Sequence, residues 1–177
     1  MIYALLLLPL VLGLIEIVES EERYPSRTAA FGPEISVDGL EAFMIPIEFL
    51  DDSEDTQGCK PVSMASPSAK HFWDLFKEYM PPGMTNRTIP WIALVERGGC
   101  GFTEKVRAMQ ASGASAVIVG DNMPSNSLIK MMATGDPKDI LIPSSFVMHW
   151  EYKDLKLEAM KRFSALLKTK SLSNKNS

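Results

Sequence analysis

The sequence predicts an α/β fold organised around a parallel strand–helix–strand unit, and three observations carry that prediction. Two apolar runs, Ile92-Ala93-Leu94-Val95 and Ala116-Val117-Ile118-Val119, have the length and β-branched content of buried strands. Between them Phe102, Val106, Met109 and Gly113 recur at helical spacing. A glycine-rich turn, Arg97-Gly98-Gly99-Cys100-Gly101, joins the first run to the helix. A helix crossing between two neighbouring strands implies that the strands run parallel and pack against it.

Whole-chain properties bound the rest. The 177 residues suit one domain, and a hydrophobic fraction of 46% with 23% charged residues is that of a chain able to build a core. A formal net charge of −4 argues against a nucleic-acid binder, whose affinity comes from clustered Lys and Arg. The basic residues near the C-terminus (Lys153, Lys156, Lys161, Arg162, Lys168 and Lys170) read as a solvated helix face or a frayed end.

Residues 2–17 are almost wholly apolar but short for a membrane span and broken by Pro9 and Gly13. With Val18-Glu19-Ser20 as a cleavage site, residues 1–20 read as a secretory signal peptide, and a retained signal anchor is the alternative. No later segment has the length and apolarity of a span, so the expectation is a mature chain without one, secreted or in the lumen of the secretory system. In that compartment Cys59 and Cys100 read as a disulfide. The competing reading is a reactive thiol at Cys100, placed where a helix N-terminus lowers its pKa.

Residues 21–38 are polar and irregular, an extended entry to the domain. A strand follows around Phe43 to Ile47, with Pro46 indicating an edge or a bulge. The acidic run Asp51, Asp52, Glu54 and Asp55 lacks the alternation of a calcium loop and reads as a solvated loop. Ser66-Pro67-Ser68 starts a helix that carries Phe72, Leu75, Phe76 and Tyr79 on one face and ends before Pro81-Pro82-Gly83. Asn86-Arg87-Thr88 is a glycosylation acceptor. A short helix is expected over Asn126 to Met132, a strand over Ile140 to Met148 and a last amphipathic helix through Tyr152, Leu155, Ala159, Met160 and Phe163. Residues 168–177 read as a disordered tail.

A search for catalytic chemistry finds little. The two histidines, His71 and His149, have no nucleophile elbow near them, and a Cys100–His149 pair needs a free thiol. Two His and a paired Cys cannot make a zinc site, and no cofactor is implied. The glycine turn offers backbone N–H groups to an anion, but it matches neither a dinucleotide fingerprint nor a Walker loop. The favoured reading is a sharp turn with Gly101 as N-cap and Glu104 at N3 supplying half a capping box.

Residues 92–122, IALVERGGCGFTEKVRAMQASGASAVIVGDN, resemble the core signature of the protease-associated (PA) domain: apolar strand, Arg-Gly-x-Cys-x-Phe, Lys-Val helix, strand ending in Asp-Asn. Gly58-Cys59-Lys60-Pro61 is similar to the upstream half-cystine of luminal PA domains, and Ile142-Pro143-Ser144-Ser145-Phe146-Val147 to their later strand; together the match runs from about Ala42 to Leu157. The resemblance implies a compact barrel-like mixed β-sheet flanked by helices over residues 39–167, and a Cys59–Cys100 pairing. It also implies a non-catalytic module that recognises a protein or peptide. PA domains occur in peptidases, vacuolar sorting receptors and single-pass RING ubiquitin ligases. The receptors' cargo motif maps onto Arg97, Gly98, Gly99, Cys100 and Phe102, with Gly99 standing where the receptors carry an acidic residue and Gly101 where Ser is common. The signal-then-PA order also fits the luminal part of a membrane RING ligase. A fragment of a PA-bearing peptidase is a third reading.

Overall fold

In a computed structural model, the described residues are 13–17, 22–36, 38–53, 55–77, 83 and 89–173, with side chains of the last helix described through Lys161. They form strands β1 (Gly13–Ile17), β2 (Glu22–Thr28) and β3 (Phe43–Pro46), then helix α1 (Pro67–Phe76). Strand β4 (Trp91–Glu96), helix α2 (Phe102–Ala111) and strand β5 (Ala116–Gly120) follow, and β6 (Ser144–Val147) and α3 (His149–Ser173) close the chain. The six strands make one curled, half-barrel sheet in the order β1-β2-β6-β5-β4-β3. β3, β4, β5 and β6 run parallel, whereas β2 is antiparallel to β6 and to β1.

Alternation along the strands sends side chains to two cores. Ala93, Val95, Val117, Val119 and Phe146 join Phe72 and Trp73 of α1 and Val106 and Met109 of α2 in one. Leu94, Ile118 and Val147 turn the other way, onto Tyr152 and Leu155 of α3. Both faces of β4 and β5 are therefore covered, which is why these strands read as continuous apolar runs rather than alternating ones. Pro46 sits in β3, the outer strand, where the missing N–H costs no ladder bond to a further neighbour.

α1 begins where the sequence placed it. Ser66 is the N-cap, its Oγ accepting from Ala69 N at 3.1 Å and donating to Leu50 O at 3.0 Å, and Pro67 opens the first turn. The expected extension of this helix toward Tyr79, and Asn86, lie outside the described residues.

Three expectations change, and one strand falls within the expected leader. Residues 22–28 are not an irregular entry but strand β2, so the sheet starts well before residue 39. Residues 13–17, inside the expected leader, form β1. The helix expected over Asn126 to Met132 is absent; the segment is irregular. Its carbonyls are claimed from elsewhere: Arg27 Nη1 donates to Leu128 O at 3.0 Å and Ala30 N to Met131 O at 2.9 Å. α3 runs on through Ser173, past the point where composition alone assigned a disordered tail.

Candidate functional site

The turn between β4 and α2 is built from two glycines in positive-φ conformations that L side chains rarely adopt. Gly98 has φ 118° and Gly99 φ 74°, so the chain reverses within two residues. Cys100 N then donates back to Gly98 O at 2.9 Å. Gly101 follows as N-cap of α2, and its N–H donates to Glu104 Oε2 at 2.8 Å. Because glycine has no side chain to answer, this is the single reciprocal half of a capping box. These two N–H groups are engaged internally, and the Glu104 carboxylate already occupies the positive end of the helix. Both facts favour the structural reading of the turn over an anion site.

Three ties hold the turn. Cys100 is bonded to Cys59, with a Cα–Cα separation of 5.8 Å, so the thiol reading of Cys100 gives way to the disulfide. Arg97 N donates to Gly120 O at 2.8 Å, and Arg97 Nη1 reaches Asp121 Oδ1 at 3.1 Å. The Asp121 carboxylate is buried while the arginine is partly exposed, so the guanidinium serves as counter-charge and as rim at once. The third tie is Lys105, fully buried, whose Nζ donates to Gln57 O at 2.7 Å and to Gly98 O. Burial pushes its pKa below the ordinary lysine value, and Asp55, Glu96 and Glu104 act against that shift.

The residues singled out from the sequence thus come together, but not equivalently. Gly99 is the exposed point, Gly98 and Cys100 are half-buried, and Phe102 packs edge-on against Phe146 with ring centroids 6.2 Å apart. Phe102 is thereby anchored against the core. Sequence reasoning missed Gln57, whose side-chain amide lies against both glycines. A Cβ on Gly99 would stand 2.1 Å from Gln57 Oε1, and one on Gly98 3.2 Å from Gln57 Nε2. The signal was available: once Cys59 pairs with Cys100, a residue two positions before Cys59 must lie beside the turn. Asn122 and Thr134 complete the rim, 3.5 Å and 3.2 Å from the Cβ positions of Gly98 and Gly101.

Other candidates fall elsewhere. His149 opens α3 with Nδ1 at 2.9 Å from Asp121 O, and His71 is exposed on α1. Ser144 and Ser145 are buried in β6. Among the described residues no cluster of His, Cys, Asp or Glu has the makings of a metal site, and no helix is long and apolar enough to cross a membrane. The rim is a polar, cross-braced surface of backbone and the side chains of Gln57, Arg97, Asn122 and Thr134.

Comparison with known proteins agrees with this architecture. The PA domain family matches residues 50–155. The E3 ubiquitin-protein ligase Godzilla of Drosophila melanogaster is 30% identical over 134 residues, 76% of this chain and 21% of the ligase. RNF128 of Xenopus laevis, also an E3 ubiquitin-protein ligase, is 41% identical over 64 residues, 36% of this chain and 15% of its own. The receptor homology region, transmembrane domain- and RING domain-containing protein 2 of Arabidopsis thaliana is 42% identical over 67 residues, 38% of this chain and 14% of that protein. The chain therefore spans about a fifth or less of these relatives. Among solved structures, a zinc aminopeptidase from Bacillus subtilis superposes with a TM-score of 0.52 at 17% identity, covering 81% of this chain and 27% of the enzyme, a likeness of fold. With the family match covering the glycine turn, the disulfide and both central strands, the chain belongs to the PA domain family.

Proposed function

We propose that this domain is a non-catalytic recognition module of the secretory or endosomal lumen, and that its glycine-turn rim binds an extended segment of another protein. One observation carries the reading: the Arg97–Cys100 turn is exposed at Gly99 yet fixed by a disulfide, a buried lysine and an ion pair. A surface held this firmly loses little entropy on binding. The absence of catalysis is supported by the disulfide at Cys100 and by the burial of Ser144 and Ser145. The leader-like composition of residues 1–20 supports the compartment.

A second reading is favoured by the relatives, several of which are E3 ubiquitin ligases. In it, the same rim selects substrates for a membrane-anchored RING ligase of which this domain is the luminal part. Sequence encoded beyond Ser177 separates the two: a hydrophobic span followed by RING cysteines carries the second.

Photo-crosslinking tests the rim itself. A photoreactive residue at Asn122, on the rim, should capture protein partners in the secretory pathway, whereas one at exposed Lys70 on α1 should not. Equal capture from both positions would sink the assignment.

A further inference from the structure

Strand β1 lies inside the leader-like stretch, yet it is a regular member of the sheet. All five of its residues pair antiparallel with β2, from Gly13 opposite Ser26 to Ile17 opposite Glu22. β2 reaches β6 only through Arg27 and Thr28. Residues 22–26 therefore have β1 as their strand partner, and loss of the leader leaves that edge open.

We propose that the β2 edge is a strand-addition site, filled by residues 13–17 in the precursor and by an extended segment of a partner protein once the leader is gone. An open edge offers a row of backbone donors and acceptors, and side-chain pockets alternate along it. β1 displays what those pockets take. Ile17 is buried in the cluster of Tyr24, Leu94, Ile118, Val147, Tyr152 and Leu155, and Ile15 packs against the same cluster. Glu16, between them, faces outward and pairs with Arg23 at 3.1 Å. The site therefore selects two apolar residues flanking an acidic one.

A second observation is independent of the pairing. Ser26 is completely buried and its Oγ has no hydrogen-bond partner. It faces Gly13, where a Cβ would stand 2.7 Å away. The leader thus fills the backbone ladder and the apolar pockets but leaves a buried hydroxyl unanswered, a state that native packing rarely tolerates. The proposal does not rest on the glycine-turn reading, which concerns another edge of the fold.

The test uses the chain as a secretory cell processes it. Intact mass gives its N-terminus, and fluorescence anisotropy measures binding of a labelled peptide of residues 12–18, LGLIEIV. The expected result is a chain starting beyond Ile17 that binds the peptide saturably, with hydrogen-exchange protection on residues 22–26. The doubly substituted peptide, I15D with I17D, should bind about 100-fold more weakly or worse. A chain that keeps residues 13–17, no saturable binding, equal binding of both peptides, or protection confined to other residues would each overturn the proposal.

Discussion

The ring of Tyr152 lies against the backbone of Gly120: a Cβ at Gly120 would stand 2.0 Å from Tyr152 Cγ. Gly120 ends β5, the strand whose carbonyl receives Arg97 N, so the contact couples α3 to the rim from beneath the sheet. Gly120→Ala cannot be absorbed by a flexible side chain, because the atoms it meets are the root of a buried ring. We predict a loss of about 3 kcal/mol or more, read from the urea midpoint. In a Tyr152→Ala background the same substitution should cost far less, since the clash is gone.

Tyr152 also sets a pH dependence. Its hydroxyl is buried without a hydrogen-bond partner. Burial first, then the nearby Glu48 and Glu96, holds its pKa well above the ordinary 10.0. The folded state keeps this proton where the unfolded chain gives it up. The stability it contributes is therefore present below 10.0 and lost as pH rises from there toward the native value. Tyr24 acts in the same direction, through burial and its bonds to Glu22 and Asp154. Tyr152→Phe should reduce the alkaline loss, and at neutral pH should leave stability unchanged or raise it by about 1 kcal/mol. A marked destabilisation at neutral pH would show that the hydroxyl has a partner.

Lys105 has the opposite sign. Its depressed pKa means that the unfolded chain binds the proton more tightly in the window below 10.5, so its contribution to stability rises with pH through that window. At neutral pH its hydrogen bonds to Gln57 O and Gly98 O still matter. Lys105→Met keeps the apolar stem but takes the donor from Gln57 O and leaves Gly98 O with Cys100 N alone, at a cost of about 2 kcal/mol. Amide exchange in the 98–101 turn should speed up, even with the disulfide intact.

What the sequence showed was local. The β4–α2–β5 unit follows from periodicities carried within some thirty residues, and Pro46 marks its own strand as an edge. The half capping box is a three-residue spacing. What it hid was set by distant partners. β2 is polar because its outward residues see solvent; most of its length pairs with the adjacent β1, but it joins the rest of the sheet through β6, more than a hundred residues away. Lys105 becomes a buried brace only once Gly98 and Gln57 are brought over it. The 126–132 segment has helical composition, but its carbonyls are claimed by Arg27 and Ala30. Tertiary bonds overrode propensity there.

The last prediction concerns Gly99, the position where sorting receptors carry an acidic residue. Two separate barriers oppose Gly99→Asp in this chain. The backbone is at φ 74°, a conformation costing an L-residue about 1 kcal/mol or more, less for Asp than for most. The larger barrier is Gln57 Oε1, 2.1 Å from the new Cβ, with Cys59 Sγ at 3.1 Å. The amide can swing away, but only by leaving the glycines it packs on. Gly99→Asp alone should lower stability by about 2 kcal/mol, and Gln57→Ala alone should cost little. The double variant should recover about 1 kcal/mol relative to additivity, a coupling measurable by denaturant titration of all four proteins. Additive behaviour would mean that the amide does not hold the place now occupied beside Gly99. A favourable coupling would identify the Gln57–Gly99 pair as the local exchange by which this rim differs from one with an acidic residue.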